Sequence, residues 1–142
     1  ERVRRYRLRA ADGSTVPESH RQAVRYAAER VPLALVSGAF RTEVETVLAA
    51  SGLADCFRHL VTAEDVVHGK PHPEGYLRAA ELLGLAPHDI VAFEDTEAGI
   101  LSAKSAGLVC LAVPGTAPPA RLTAADGLVE RIDVELMRRL LA

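Results

Sequence analysis

Three short runs of the chain are apolar at every position: Leu33-Ala34-Leu35-Val36, Ile90-Val91-Ala92-Phe93 and Val109-Cys110-Leu111-Ala112-Val113. A strand with one face in water alternates apolar and polar residues, so unbroken runs of this length describe strands covered on both faces. Between them lie stretches with helical periodicity. Residues 18–30 read as a helix with Pro17 near its start, 40–51 as a helix closed by Gly52, and 73–83 as a helix opened by Pro73 and ended by Gly84. Residues 97–106 form another, ended by Gly107, and 133–141 a last one. Residues 59–62 and 127–129 add short strands. Continuous strands alternating with helices predict a doubly wound, parallel α/β sheet. In such a fold ligands bind beyond the C-terminal ends of the strands.

That rule singles out the residues following the strands. Glu94 and Asp95 are adjacent carboxylates behind the second apolar run. Oxygen pairs of this kind suit Mg²⁺, which takes one or two protein carboxylates and keeps water or phosphate oxygens in its other positions. Taken alone, Glu-Asp before a helix reads more readily as a cap, with Asp95 or Thr96 at the N-terminus of 97–106. Lys70 stands between Gly69 and Pro71, a point charge suited to phosphate on a restrained loop. Ser37 and Gly38 offer a hydroxyl and backbone N–H groups between a strand and a helix, an anion cradle or an ordinary cap. His20, His59, His68, His72 and His88 show no zinc-ligand spacing; His72, inside the lysine loop, is the one placed to touch a substrate. Glu74 and Tyr76 are expected to support that loop.

The totals exclude other classes. With 142 residues the chain is one domain, or one domain with a scrap of another, and a net charge of −2 gives no electrostatic case for nucleic acid or membrane as a partner. Cys56 and Cys110 have no metal-ligand spacing and read as reduced thiols of a cytoplasmic protein. Residues 1–10 carry five arginines, with Val3, Tyr6 and Ala10 at helical spacing, and predict an amphipathic helix. Asp12-Gly13-Ser14-Thr15 reads as a turn.

From about Pro17 onward the chain resembles the haloacid dehalogenase-like (HAD) hydrolases, in the branch that contains β-phosphoglucomutase and phosphoglycolate phosphatase. Leu-Val-Ser-Gly (35–38), Gly-Lys-Pro-His-Pro-Glu-Gly-Tyr (69–76) and Phe-Glu-Asp-Thr-Glu-Ala-Gly-Ile (93–100) match its second, third and fourth motifs in order. The resemblance implies that Ser37 and Gly38 bind the phosphoryl group, that Lys70 neutralises it, and that Glu94 and Asp95 hold Mg²⁺. It implies a Mg²⁺-dependent phosphatase of small phosphorylated metabolites, working as a monomer through an aspartyl-phosphate. A sugar phosphomutase and a non-catalytic binding domain are the alternatives. A receiver domain fits poorly, because Lys70 precedes the acidic pair.

The first family motif, Asp-x-Asp-Gly-Thr/Ser, has no match. Asp12 lacks a preceding apolar strand and has no aspartate two residues before it. Residues 1–12 accordingly read as a remnant of a helical cap and 13–142 as a HAD-like core without its central first strand. The full-length parent is expected to supply that strand and its nucleophile, and this chain alone is expected to be inactive.

Overall fold

The computed structural model describes residues 3–6, 16–113 and 118–142. Six parallel strands form one sheet in the order β3-β2-β1-β4-β5-β6. They are β1 (Val3–Tyr6), β2 (Leu33–Val36), β3 (His59–Val61), β4 (Ile90–Glu94), β5 (Val109–Ala112) and β6 (Gly127–Leu128). The helices are α1 (Glu18–Ala28), α2 (Arg41–Ala50), α3 (Glu74–Leu83), α4 (Glu97–Ser105) and α5 (Val134–Leu140). Their ends fall within two residues of the expected ones, the usual fraying margin.

Both faces of the sheet are covered, which is why β2, and β4 up to Phe93, are apolar at every position. Leu33, Leu35, Val91 and Phe93 face a layer that includes Ala23, Val24 and Ala27 of α1, Val44 and Leu48 of α2, and Leu136 and Met137 of α5. The alternate residues Ala34, Val36, Ile90 and Ala92 face Tyr76, Ala79 and Ala80 of α3 and Ile100 and Ala103 of α4. β2 and β4 thus divide their side chains between two cores by the two-residue period of the pleat.

The N-terminal segment departs from expectation. Val3–Tyr6 is a strand, not part of an amphipathic helix, and it lies between β2 and β4. Arg4 is level with Leu33 and Val91, and Arg5 with Ala34 and Ala92. The physical reason is the sheet itself. With nothing between them, β2 and β4 would each leave a row of backbone N–H and C=O groups unpaired in the core. That demand outweighs a weak local helical period of three apolar positions. β1 therefore stands where the resembled family has its nucleophile strand, but it carries no aspartate, and none occurs in the chain before Asp12. Residues 7–15, with the turn expected at Asp12–Thr15, lie outside the described residues.

Candidate active site

β2 and β4 end on the same rim, and the α3 loop reaches across to them. At the end of β2, Ser37 N donates to Val61 O at 2.9 Å, extending the pairing with β3 by one residue. Ser37 Oγ then accepts from Ala39 N at 3.1 Å. Ser37 is not the helix cap, since α2 starts only at Arg41, with Phe40 N bonded to Glu43 Oε1 at 3.3 Å. A Cβ at Gly38 would meet nothing within 4 Å, so a ligand can approach that backbone closely. Ser37, Gly38 and Lys70 line one pocket of about 180 Å³ with Val36, Thr62 and Val67.

Lys70 is held from three sides. Its Nζ donates to Glu94 Oε2 at 2.6 Å and to Val36 O at 3.3 Å, and lies 5.3 Å from the centre of the Tyr76 ring. Glu74 fastens the loop that carries it. The Glu74 carboxylate accepts from Val67 N at 2.9 Å and His68 N at 2.8 Å, and these bonds hold it below the usual carboxylate range. On the far side of the lysine, Ser102 Oγ donates to His72 O at 2.7 Å. The loop support expected from Glu74 is present. His72 itself is exposed, with Nδ1 accepting from Glu74 N at 3.1 Å.

Glu94 is 1% exposed and Asp95 5%. Glu94 Oε2 accepts from the Tyr76 hydroxyl as well as from Lys70. Its other side rests on α4: a Cβ built on Gly99 would stand 2.0 Å from Glu94 Oε1. Tyr76 and Gly99 thus fix the carboxylate. No local pattern reveals this, because the two residues come from different helices and meet only through Glu94; the Gly at 99 was visible in the fourth motif without its reason. Of the two candidates for the cap of α4, Thr96 is the one: its Oγ1 accepts from Gly99 N at 3.0 Å.

Neither Glu94 nor Asp95 lines the Ser37 pocket; Glu94 meets it through Lys70. Two carboxylates almost out of solvent on adjacent residues are costly unless cations or hydrogen-bond donors face them. Lys70 is one such cation. The donor set is all carboxylate oxygen, the chemistry Mg²⁺ takes, so the residues fit that ion.

Residues 2–107 match the family model described as hydrolase, haloacid dehalogenase-like hydrolase. The chain belongs to the haloacid dehalogenase-like hydrolases. It is 41% identical over 101 residues to the validoxylamine A 7'-phosphate phosphatase of Streptomyces hygroscopicus subsp. limoneus, covering 71% of this chain and 47% of that protein. It is 45% identical over 73 residues to hexitol phosphatase A of Escherichia coli K12, covering 51% of this chain and 34% of that one. The chain thus spans about half, or less, of these curated relatives. Among solved structures, a putative β-phosphoglucomutase from Thermotoga maritima superposes with a TM-score of 0.77 at 32% identity, over 87% of this chain and 59% of that one. A HAD family hydrolase from Deinococcus radiodurans R1, with bound phosphate and sodium, superposes with a TM-score of 0.81 at 28% identity, over 90% and 60%. The doubly wound sheet and the branch of the family agree with the sequence motifs. Among the described residues no helix is long and apolar enough to cross a membrane.

Proposed function

We propose that this chain supplies the phosphate- and metal-binding part of a Mg²⁺-dependent phosphatase that hydrolyses monoesters of small phosphorylated metabolites in the cytoplasm. The observation that carries the reading is Lys70, held 2.6 Å from Glu94 on the rim of the pocket that Ser37 and Gly38 line. Ser37 Oγ and the backbone after it hold phosphoryl oxygens, and Gly38 lets them come close. Lys70 offsets the charge of the phosphoryl group and of the group that attacks it. Glu94 and Asp95 hold Mg²⁺, which when bound neutralises charge on the phosphoryl oxygens. Such a site lowers the barrier by positioning and electrostatics, with groups oriented before reaction begins. Tyr76 and Gly99 act at one remove by fixing the Glu94 carboxylate.

The nucleophile is the open part of the scheme. In the family mechanism an aspartate carboxylate takes the phosphoryl group and water then releases it. β1 carries no aspartate at that place, which favours a second reading for the 142-residue chain itself: ligand binding without turnover.

Calorimetry with Mg²⁺ and inorganic phosphate, beside a phosphate-release screen of sugar phosphates, tests both statements. The expected result is binding of both ligands and no release of phosphate. Asp95→Asn should weaken Mg²⁺ binding without unfolding the sheet, because Thr96 is the α4 cap. Failure to bind either ligand refutes the proposed site. Mg²⁺-dependent phosphate release by this chain refutes binding without turnover.

A further inference from the structure

The lysine loop holds a second cluster at the mouth of the Ser37 pocket, which His68 also lines. His68, His72 and Glu74 each offer a ligand atom, and these atoms lie within 4.8 Å of one another. A turn brings them together: His72 N donates to Gly69 O at 3.0 Å, folding the chain back on itself. The two imidazoles stack, with centroids 4.7 Å apart and planes 25° from parallel. His68 Nδ1 lies 3.3 Å from Glu74 Oε1. Both rings are exposed, so an ion reaches them without opening the fold. The Glu74 carboxylate is already fixed by two backbone N–H groups.

We infer that His68, His72 and Glu74 form a surface site for a borderline divalent transition metal of the Zn²⁺ class, distinct from the Glu94–Asp95 pair. Two imidazoles and a carboxylate, with water in the fourth position, are a donor set that Zn²⁺ takes and that Mg²⁺, which seeks oxygen, does not. Ligands on one Zn²⁺ at about 2.0–2.1 Å stand roughly 3.4 Å from each other. The 4.8 Å spread closes by rotating exposed side chains about their own torsions, with the backbone in place. Where Nδ1 of His72 is the ligating atom, it gives up the Glu74 N–H at a surface where water replaces it.

His68 and His72 flank Lys70 in the chain. A metal joining them closes a short loop around the lysine and restrains it, while the Glu74 anchor stays in place. The sequence pattern gave these histidines no zinc-ligand reading; it is the Gly69–His72 turn that brings the three residues together.

The test is a Zn²⁺ titration of the purified full chain, followed by calorimetry and by the shift in melting temperature. The expected result is a single equivalent of Zn²⁺ that excess Mg²⁺ does not displace. His68→Asn and His72→Asn should each weaken it by roughly tenfold or more, since loss of a direct ligand costs at least as much as loss of an outer partner. His88→Asn should leave it unchanged. Far-UV dichroism of the variants, all exposed substitutions, reports that the fold is kept. Absence of Zn²⁺ binding overturns the site, as does an affinity unchanged in both His68→Asn and His72→Asn. Because the readout is Zn²⁺ affinity alone, its failure leaves the phosphatase reading standing, and failure of that reading leaves the Zn²⁺ site standing.

Discussion

Gly99→Ala is the substitution that most directly probes how the site is held. In an exposed helix this change would stabilise the chain by about 1 kcal/mol, because alanine is the better helix former. Here the new methyl would stand 2.0 Å from Glu94 Oε1 and 2.3 Å from its Cδ. That is more than ~1 Å inside an ordinary contact, so the carboxylate must move. It cannot move freely, being 1% exposed and held by Lys70 and the Tyr76 hydroxyl. A hydrogen bond to a charged group contributes about 1.5–3 kcal/mol, and crowding a packed interior costs about 1–3 kcal/mol. Losing one such bond and crowding the contact, less the helix gain, leaves a net loss of about 2–4 kcal/mol. For a chain of this size that lowers the melting temperature by roughly 10 °C. Denaturant unfolding of Gly99→Ala measures it, with Gly38→Ala as the control. A Cβ at Gly38 meets open space, so that variant should stay within about 0.5 kcal/mol of the parent. In a double-mutant cycle with Tyr76→Phe the losses should fall short of the sum, because both act on one carboxylate. A Gly99→Ala chain as stable as the parent, or more so, would show that Glu94 does not lie against α4 and would remove the reason given for the glycine.

Three further outcomes are expected. Tyr76→Phe keeps the ring but removes the hydroxyl bonded to the buried Glu94, and should cost about 1.5–3 kcal/mol in urea unfolding; no loss would mean the bond is not made. Burial, then the nearby Glu94 and Asp126 charges, push the Cys110 thiol up to about 12, so at mildly alkaline pH a thiol reagent should label Cys56 slowly and Cys110 only after denaturation. The Asp126 carboxyl is held below its usual value by the Lys104 ammonium and the Cys110 N–H. Its stabilising effect is complete above the unfolded-state pKa of about 3.9 and is lost as pH falls through the lower folded value. Asp126→Asn should therefore flatten the acid limb of the stability curve; an unchanged acid limb would count against the contact.

How much of this was legible beforehand depends on the range of each interaction. Leu33–Val36 and Ile90–Phe93 announced their strands because every side chain on them is buried, and burial on two faces leaves a mark at each position. The positions of Ser37, Glu94 and Asp95 behind strands, and of Lys70 in a loop before a helix, were legible because strand and helix ends follow from local pattern. The Thr96 cap needed only a hydroxyl three residues ahead of the Gly99 N–H. Local rules of turn, cap and periodicity act within a few residues, so the linear order of residues carries them in full.

Contacts between distant segments are another matter. Val3–Tyr6 has a weak helical period of its own and becomes a strand because β2 and β4, far along the chain, both require a partner. Tyr76 and Gly99 fix Glu94 from two different helices, and His72 comes over His68 only when the loop turns at Gly69. The amino-acid sequence by itself determined the doubly wound sheet and the polar residues that follow its strands. Tertiary structure alone decided what fills the centre of the sheet, which groups clamp the buried carboxylate and which side chains become neighbours. Those choices rest on pairing unmet backbone groups and on filling space around a buried charge, and neither demand exists until the distant parts of the chain have met.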